Sequence, residues 1–364
     1  MKKISLITVH LGPNFGSNLQ TIATVRTLEK FQTTVQVINY IPNRCTTKRF
    51  LKHSFSSPLN FIKLFISFPL FLINRHIYNS YLKKHVNISE PIYSNDIFYK
   101  VCPKADYYVT GSDQVWNTIY NEGIDKHYFF DGFKSNNKIA YSSSMGKTQL
   151  EKEEYSVIKD LLSSYKAISV REDTAKHIIE SMGYEATHLL DPTFMLNASE
   201  WKKYMSKRLI DPPYIIVYLP YNTHDKNIIY KSVRKIANAL NLKIVTFSLN
   251  IFNDKYADTT IRFASPGDFL SLMYYAEYVV TNSFHGTAFS INLNKQFYVY
   301  MPTGFGTRIM SILEKTGLTN RLLEAKEIVS SDKIHEKINY DIVNYCLDKE
   351  RQIAFNYLRK ALND

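Results

Sequence analysis

The chain has 364 residues, too many for one ordinary core and enough for two domains of comparable size. A composition of 45% hydrophobic and 21% charged residues, without low-complexity tracts or internal repeats, excludes a disordered or fibrous protein. A net charge of +12 and a pI near 9.3 favour anionic partners, but no Cys/His finger or aromatic-basic repeat points to nucleic acid. Cys45, Cys102 and Cys346 are scattered and odd in number. They suit reduced thiols of a cytoplasmic protein better than a disulfide framework or a metal site. Lys2 and Lys3 before ISLITV imitate a secretory leader, yet the apolar run stops at His10 and no small-residue cleavage site follows.

ISLITV (4–9) reads as a central parallel strand. A loop with Gly12, Pro13 and Gly16 leads into SNLQTIATVRTLEKF, of helical spacing, capped by Ser17 or Asn18. VQVINYI (35–41) is a second strand, and this order opens a doubly wound α/β domain. Residues 44–88 break the pattern, with Lys48, Arg49, Lys52, Arg75, Lys83 and Lys84 around the apolar-rich stretch Leu59 to Ile73. Lys63 and Pro69 interrupt that stretch, which is too short to span a bilayer. It is either a helical insertion packed on the domain, the favoured reading, or an interfacial segment resting on the inner membrane surface.

DYYVTGSDQVWN (106–117) is a strand running into a polar turn, and KIAYSSSMG (138–146) a strand followed by a Ser/Gly loop. AISVREDTAKHII (167–179) is a strand that delivers Arg171 into a helix start, and THLLDPTFML (187–196) closes the first half. The Asp-Pro pair and the polar stretch to Pro213 look like a hinge. The alternation then restarts with YIIVYLP (214–220), NIIYKSVRKIANAL, KIVTFSL (243–249) and a helix from 266 capped near Asp268. EYVVTN (277–282), the helix GTAFSINL and QFYVYM (296–301) follow. The expected organisation is an N-terminal α/β domain over 1–200 carrying the 44–88 insertion, and a C-terminal α/β domain over 201–340. A last helix, 341–364, would pack back across both. Two such doubly wound, Rossmann-like domains facing a cleft make a GT-B-like fold.

His285 follows a buried strand and precedes a helix that begins with Gly286 and Thr287, where free backbone N–H groups and the positive helix end gather an anion. Ser283 adds a hydroxyl, and Gly286 would let a ligand approach the backbone. The competing reading is a histidine that caps or underlies the helix. Asp113, flanked by Ser112 and Gln114, would be presented at the sheet's ligand edge, or would make an ordinary turn. Trp116 reads as core in preference to a sugar platform. Arg171 could grip phosphate or carboxylate in two-pronged fashion, the competing reading being an ion pair with Glu172 or Asp173. Arg308, beyond the GFG loop (304–306), is a second clamp or a surface charge. Asp-x-Asp, phosphate-loop, nucleophile-elbow and H-E-x-x-H motifs do not occur.

NFGSNLQTIATVRTL, YYVTGSDQVWN, SVREDTA, LLDPTF and TNSFHGTAFSINLNKQF together resemble the polysaccharide pyruvyl transferase family. The resemblance implies transfer of pyruvyl from phosphoenolpyruvate onto two hydroxyls of a sugar, with no metal or cofactor. The acceptor would be a sugar or a lipid-linked oligosaccharide, in capsule, exopolysaccharide or cell-wall synthesis. It also implies that His285 and Arg171 line the donor pocket and that Asp113 lies by the reacting hydroxyls. His285 and Asp113 are then the catalytic candidates. Arg171, Ser283, Gly286, Thr287, Arg308, Ser112, Gln114 and Asn18 are the substrate-binding candidates. A metal-independent glycosyltransferase using a nucleotide sugar, and a non-catalytic scaffold of a polysaccharide assembly complex, are the alternatives.

Overall fold

The computed structural model describes the chain except residues 55–57, 94–97, 134, 222–224, 304–305 and 364, and except the side chains of 53–63. It divides into two compact units, Met1–Met195 with Glu350–Asp364, and Leu196–Lys349.

The first unit is built on six parallel strands: β1 (Lys2–Ile7), β2 (Thr33–Val37), β3 (Tyr107–Thr110), β4 (Lys138–Ser143), β5 (Tyr165–Val170) and β6 (Thr187–His188). Their spatial order is β2-β1-β3-β4-β5-β6. Strands β1 and β3 pair from Ile4↔Tyr107 to Ile7↔Thr110 and are buried on both faces, which is why their sequences are continuous apolar runs rather than alternating ones. The chain reverses its direction of winding between β1 and β3, so the carboxyl ends of these two strands form the switch-point crevice.

Helix α1 (Phe15–Glu29) opens at that crevice. Its cap is Asn14, whose side chain accepts from the Ser17 N–H at 3.3 Å, and not Ser17 or Asn18. Ser17 is already inside the first turn, and both candidates point their side chains elsewhere: Ser17 to Asp113, and Asn18 to the His10 carbonyl. The insertion forms helices α2 (Thr47–Ser54) and α3 (Pro58–His85). α3 packs on α1: Tyr78 stacks on Phe15 at 5.5 Å, and Arg26 donates to the His85 carbonyl. No described helix is long and apolar enough to cross a membrane.

The second unit repeats the plan with β7 (Tyr214–Tyr218), β8 (Lys243–Ser248), β9 (Thr259–Arg262), β10 (Tyr278–Thr281), β11 (Gln296–Tyr300) and β12 (Leu322–Leu323), in spatial order β9-β8-β7-β10-β11-β12. Its switch point is between β7 and β10, paired from Ile215↔Tyr278 to Tyr218↔Thr281. Helix α4 (Pro266–Tyr275) starts at a Ser265 cap, and Asp268 is the third residue of a capping box rather than the cap. Helix α5 (Phe284–Asn292) follows β10 directly. The C-terminal helix, Tyr340–Asn363, begins in the second unit and ends in the first, where Tyr357 donates to the Ala140 carbonyl and the Leu362 carbonyl accepts from Tyr107.

Candidate active site

At the switch point of the first unit, the loop after β3 turns sharply through Asp113, whose φ of 69° lies in the left-handed region. Aspartate tolerates that conformation better than most residues, and strain of this kind concentrates at functional sites. Asp113 Oδ2 accepts from Ser17 Oγ at 2.6 Å, and Oδ1 accepts from the Gln114 N–H at 2.9 Å and from Arg171 at 3.4 Å. The first turn of α1 and the end of β3 are therefore locked to each other through one carboxylate.

Arg171 leaves the end of β5 fully buried. Its Nη1 donates to Asp191 at 2.5 Å and reaches Ser112 Oγ at 3.5 Å, while Ser112 donates to Asp191 at 3.1 Å. Asp191 is held in turn by the N–H and hydroxyl of Thr193, at 2.9 and 2.7 Å. Burial works against the guanidinium charge, but Asp191, Asp113 and Glu172 more than offset it and raise the arginine pKa. The ion pairs skip the chain neighbours. Glu172 instead accepts from Ser144 Oγ and from the N–H groups of Met145 and Gly146, at 2.7–2.9 Å. Asp191, read from sequence as part of a hinge, is a core ion-pair partner. It is 1% exposed because a charged guanidinium at this depth requires one.

Asn18 and Gln114 are buried in supporting roles. Asn18 ties α1 to the His10 carbonyl, and Gln114 accepts from Asn117 at 2.5 Å. Trp116 is 1% exposed and stacks on Phe129 at 5.2 Å, within the core. Burial pushes the Tyr120 hydroxyl up to about 12, with the charge of Asp113 adding to the effect. The Arg44 guanidinium stands 4.7 Å over the Tyr120 ring, and a cleft of about 530 Å³ lined by Arg44, Asn121, Asp125 and His127 opens there.

In the second unit, Ser283 caps α5 and its hydroxyl accepts from the Gly286 N–H at 3.3 Å. The Tyr218 hydroxyl, at the end of β7, hydrogen-bonds Ser283, and burial raises its pKa far above the usual phenol range. Thr281 and Asn282 bind the end of β7 and the chain after it: Thr281 Oγ1 donates to the Tyr218 carbonyl at 2.7 Å and Asn282 Nδ2 to the Tyr221 carbonyl at 2.8 Å. His285 lies in the first turn of α5, 4% exposed and edge-on to Phe284 at 5.2 Å. Arg308 is not a surface charge: it is 1% exposed and stands 5.6 Å over the Phe284 ring. Gly304 and Phe305 of the preceding GFG loop lie outside the described residues.

Two binding candidates acquire packing reasons. A Cβ on Gly286 would collide with Thr281 Oγ1, so the glycine lets α5 sit tightly on β10, and the space reserved in the sequence reading for a ligand is filled. The Thr287 hydroxyl donates back to the Ser283 carbonyl at 2.9 Å. The structure thus brings together Ser112, Asp113 and Arg171, and separately Ser283, His285, Gly286 and Thr287, with Arg308 beside Phe284. Ser17, read from sequence as a cap, Asp191, read as part of a hinge, and Tyr218, read as a strand residue, were not among the site candidates. Of these, Asp191 had a usable signal, a strand-end carboxylate in LLDPTF. Among the described residues no group of three or more His, Cys, Asp or Glu is arranged to hold a metal ion.

Two doubly wound parallel sheets with ligand-edge residues at both switch points define a GT-B-class protein. Solved structures of that class align over nearly the whole chain. A UDP-GlcNAc 2-epimerase from Neisseria meningitidis bound to UDP-GlcNAc aligns over 98% of this chain and 94% of its own, with 11% identity and a TM-score of 0.51. Arabidopsis thaliana UGT89C1 complexed with UDP-L-rhamnose aligns over 100% and 98%, with 10% identity and a TM-score of 0.51. The Methanocaldococcus jannaschii UDP-GlcNAc 2-epimerase in complex with UDP-GlcNAc and UDP aligns over 96% and 94%, with 14% identity and a TM-score of 0.50. Identities this low carry the fold alone. A comparison with curated proteins finds no match. The polysaccharide pyruvyl transferase family model matches residues 14–302, and the chain belongs to that family.

Proposed function

We propose that the protein transfers the pyruvyl group of phosphoenolpyruvate to two hydroxyls of a sugar, releasing phosphate and forming a cyclic ketal in capsule, exopolysaccharide or cell-wall synthesis. The observation that carries the reading, beyond family membership, is the pairing of a buried carboxylate, Asp113, on a positive-φ turn with a buried cation, Arg171, at a switch point.

The chemistry requires a proton on the methylene carbon of the donor, which leaves an oxygen-stabilised cation at the neighbouring carbon. One sugar hydroxyl adds there and gives up its proton. Phosphate then departs with the C–O bonding pair, and the second hydroxyl adds to the resulting cation, its proton leaving with phosphate. In this scheme His285 supplies the first proton and Asp113 accepts the proton of the attacking hydroxyl. Arg171 takes the donor carboxylate. Its 3.4 Å contact to Asp113 is much looser than its 2.5 Å contact to Asp191, so the Asp113 side is the one a donor would replace. Losing that cation makes Asp113 a better base at the moment the donor arrives. Arg308 is the second cation for the donor, with Ser283 positioning its phosphate at the α5 start. The polar cleft beside Tyr120 is of a size to take a sugar acceptor.

The deciding assay is phosphate release from phosphoenolpyruvate with a panel of glycan acceptors, followed by mass spectrometry of the product for the added ketal. Calorimetric titration against nucleotide sugars runs beside it. Tight binding of a nucleotide sugar without phosphoenolpyruvate binding would favour a glycosyltransferase. Full function in vivo of an Asp113→Asn/His285→Gln double variant would favour a scaffold.

A further inference from the structure

We infer that the insertion helices α2 and α3 form a docking face for an anionic lipid bilayer. The solvent-facing stripe of α3 is apolar for two turns: Phe65 is 73% exposed, Ile66 54%, and Leu72 and Ile73 44% each. Their spacing of one, seven and eight residues from Phe65 puts them on one side of the helix. The opposite side is buried, with Tyr78 and Leu82 each 1% exposed. Packing on α1 therefore holds the stripe outward, and Phe50 of α2 stacks on Phe71 at 4.4 Å to brace it. Four large apolar side chains on one helix face are more than scattered surface residues explain.

The charge around the stripe selects the occupant. From residue 30 to residue 89, between Glu29 and Glu90, the sequence has nine Lys and Arg and no Asp or Glu. Lys48 and Lys52 on α2, and Lys83 and Lys84 at the end of α3, are exposed; Arg49 is also exposed but leans on Glu122 at 3.5 Å. A second copy of this face would repel the first. A nucleic acid would neutralise the cations but leave Phe65 and Leu72 in water. A leaflet rich in anionic headgroups satisfies both, with cations at the phosphates and apolar side chains just below them. The apolar part of the stripe, from Phe65 to Ile73, covers about 12 Å at 1.5 Å per residue, which fits a helix lying in the interface.

The test is co-sedimentation of the full chain with vesicles containing phosphatidylglycerol or phosphatidylcholine alone. The wild-type protein should pellet with the former, more weakly with the latter and more weakly in high salt. Replacing Phe65, Ile66, Leu72 and Ile73 together by Ser should lower the bound fraction roughly tenfold, and Lys83→Glu/Lys84→Glu a few-fold. A Phe65→Trp variant guards against misfolding of the multiple variant, because its added emission should shift to the blue on phosphatidylglycerol vesicles. Wild-type protein that stays in the supernatant, Trp emission that does not move, or a Ser variant that pellets as well as wild type would overturn the inference. So would a solution dimer that the same Ser substitutions convert to a monomer. None of these readouts needs turnover, so their failure would leave the pyruvyl-transfer reading untouched.

Discussion

The two switch points are fixed by different chemistry. In the first unit, opposite charges do the work: Asp191 and Asp113 grip one buried guanidinium, and that ion-pair cluster joins the ends of β3 and β5 to the start of α1. In the second unit the links are neutral: the side chains of Thr281, Asn282 and Ser283 bind backbone at the end of β7, just after it and at the α5 start. Removing one member of a buried charge cluster leaves an uncompensated charge, whereas removing a side chain from a neutral turn leaves at most an unfilled hydrogen bond. The first edge should thus couple stability to activity, and the second should let them be separated.

Asp191→Ala is the severest test. With Arg171 stripped of its closest partner, unfolding free energy should fall by about 3–5 kcal/mol in urea titrations, and activity should fall with it. A loss below about 1 kcal/mol would mean that the cluster does not hold the ends of β3 and β5 to the start of α1. Next come the two residues assigned to proton transfer. Asp113→Asn preserves a side chain that accepts a positive φ, and His285→Gln sits in the neutral edge; each should lower turnover by about 10²–10⁴-fold. For His285→Gln the melting temperature should stay near wild type. If it dropped as far as that of Asp191→Ala, the contrast between the edges would collapse.

Gly286→Ala probes the neutral edge through packing. The new methyl group must displace the Thr281 hydroxyl from the Tyr218 carbonyl or push α5 off β10, at a cost of about 1–3 kcal/mol in thermal unfolding. The smallest expected effect concerns His10, buried near the first edge between the Thr8 carbonyl and Asn39. Burial lowers its pKa in the folded state, so the unfolded chain takes up a proton that the folded one resists. The resulting stability is intact above the unfolded value of ~6.5 and declines as pH falls below it toward the folded value. His10→Asn should flatten that part of the stability–pH curve, and an unchanged slope would assign it to another group.

Parallel, doubly wound architecture was legible because buried strands such as ISLI and YVVT are continuous apolar runs punctuated by Gly, Ser and Asp at their carboxyl ends. The same punctuation marked Asp113, Arg171 and His285 as strand-end residues. Cap identity was less legible in α1: Ser17 and Asn18 have the right chemistry for a cap, but Asn14 takes the role because the first turn starts earlier.

What the sequence determined by itself is therefore local: which segments are strands, which residues end them, and the acid-free, basic character of the insertion. These follow from periodicity, turn chemistry and composition, each of which acts over a few residues. Tertiary structure alone decided that Arg171 pairs with Asp191 and Asp113, that Ser17 donates to Asp113 across 96 positions, and that Gly286 exists to admit Thr281. Those choices depend on which strand ends become neighbours. The partner of a buried charge is the nearest opposite charge in space, and chain separation says nothing about that distance.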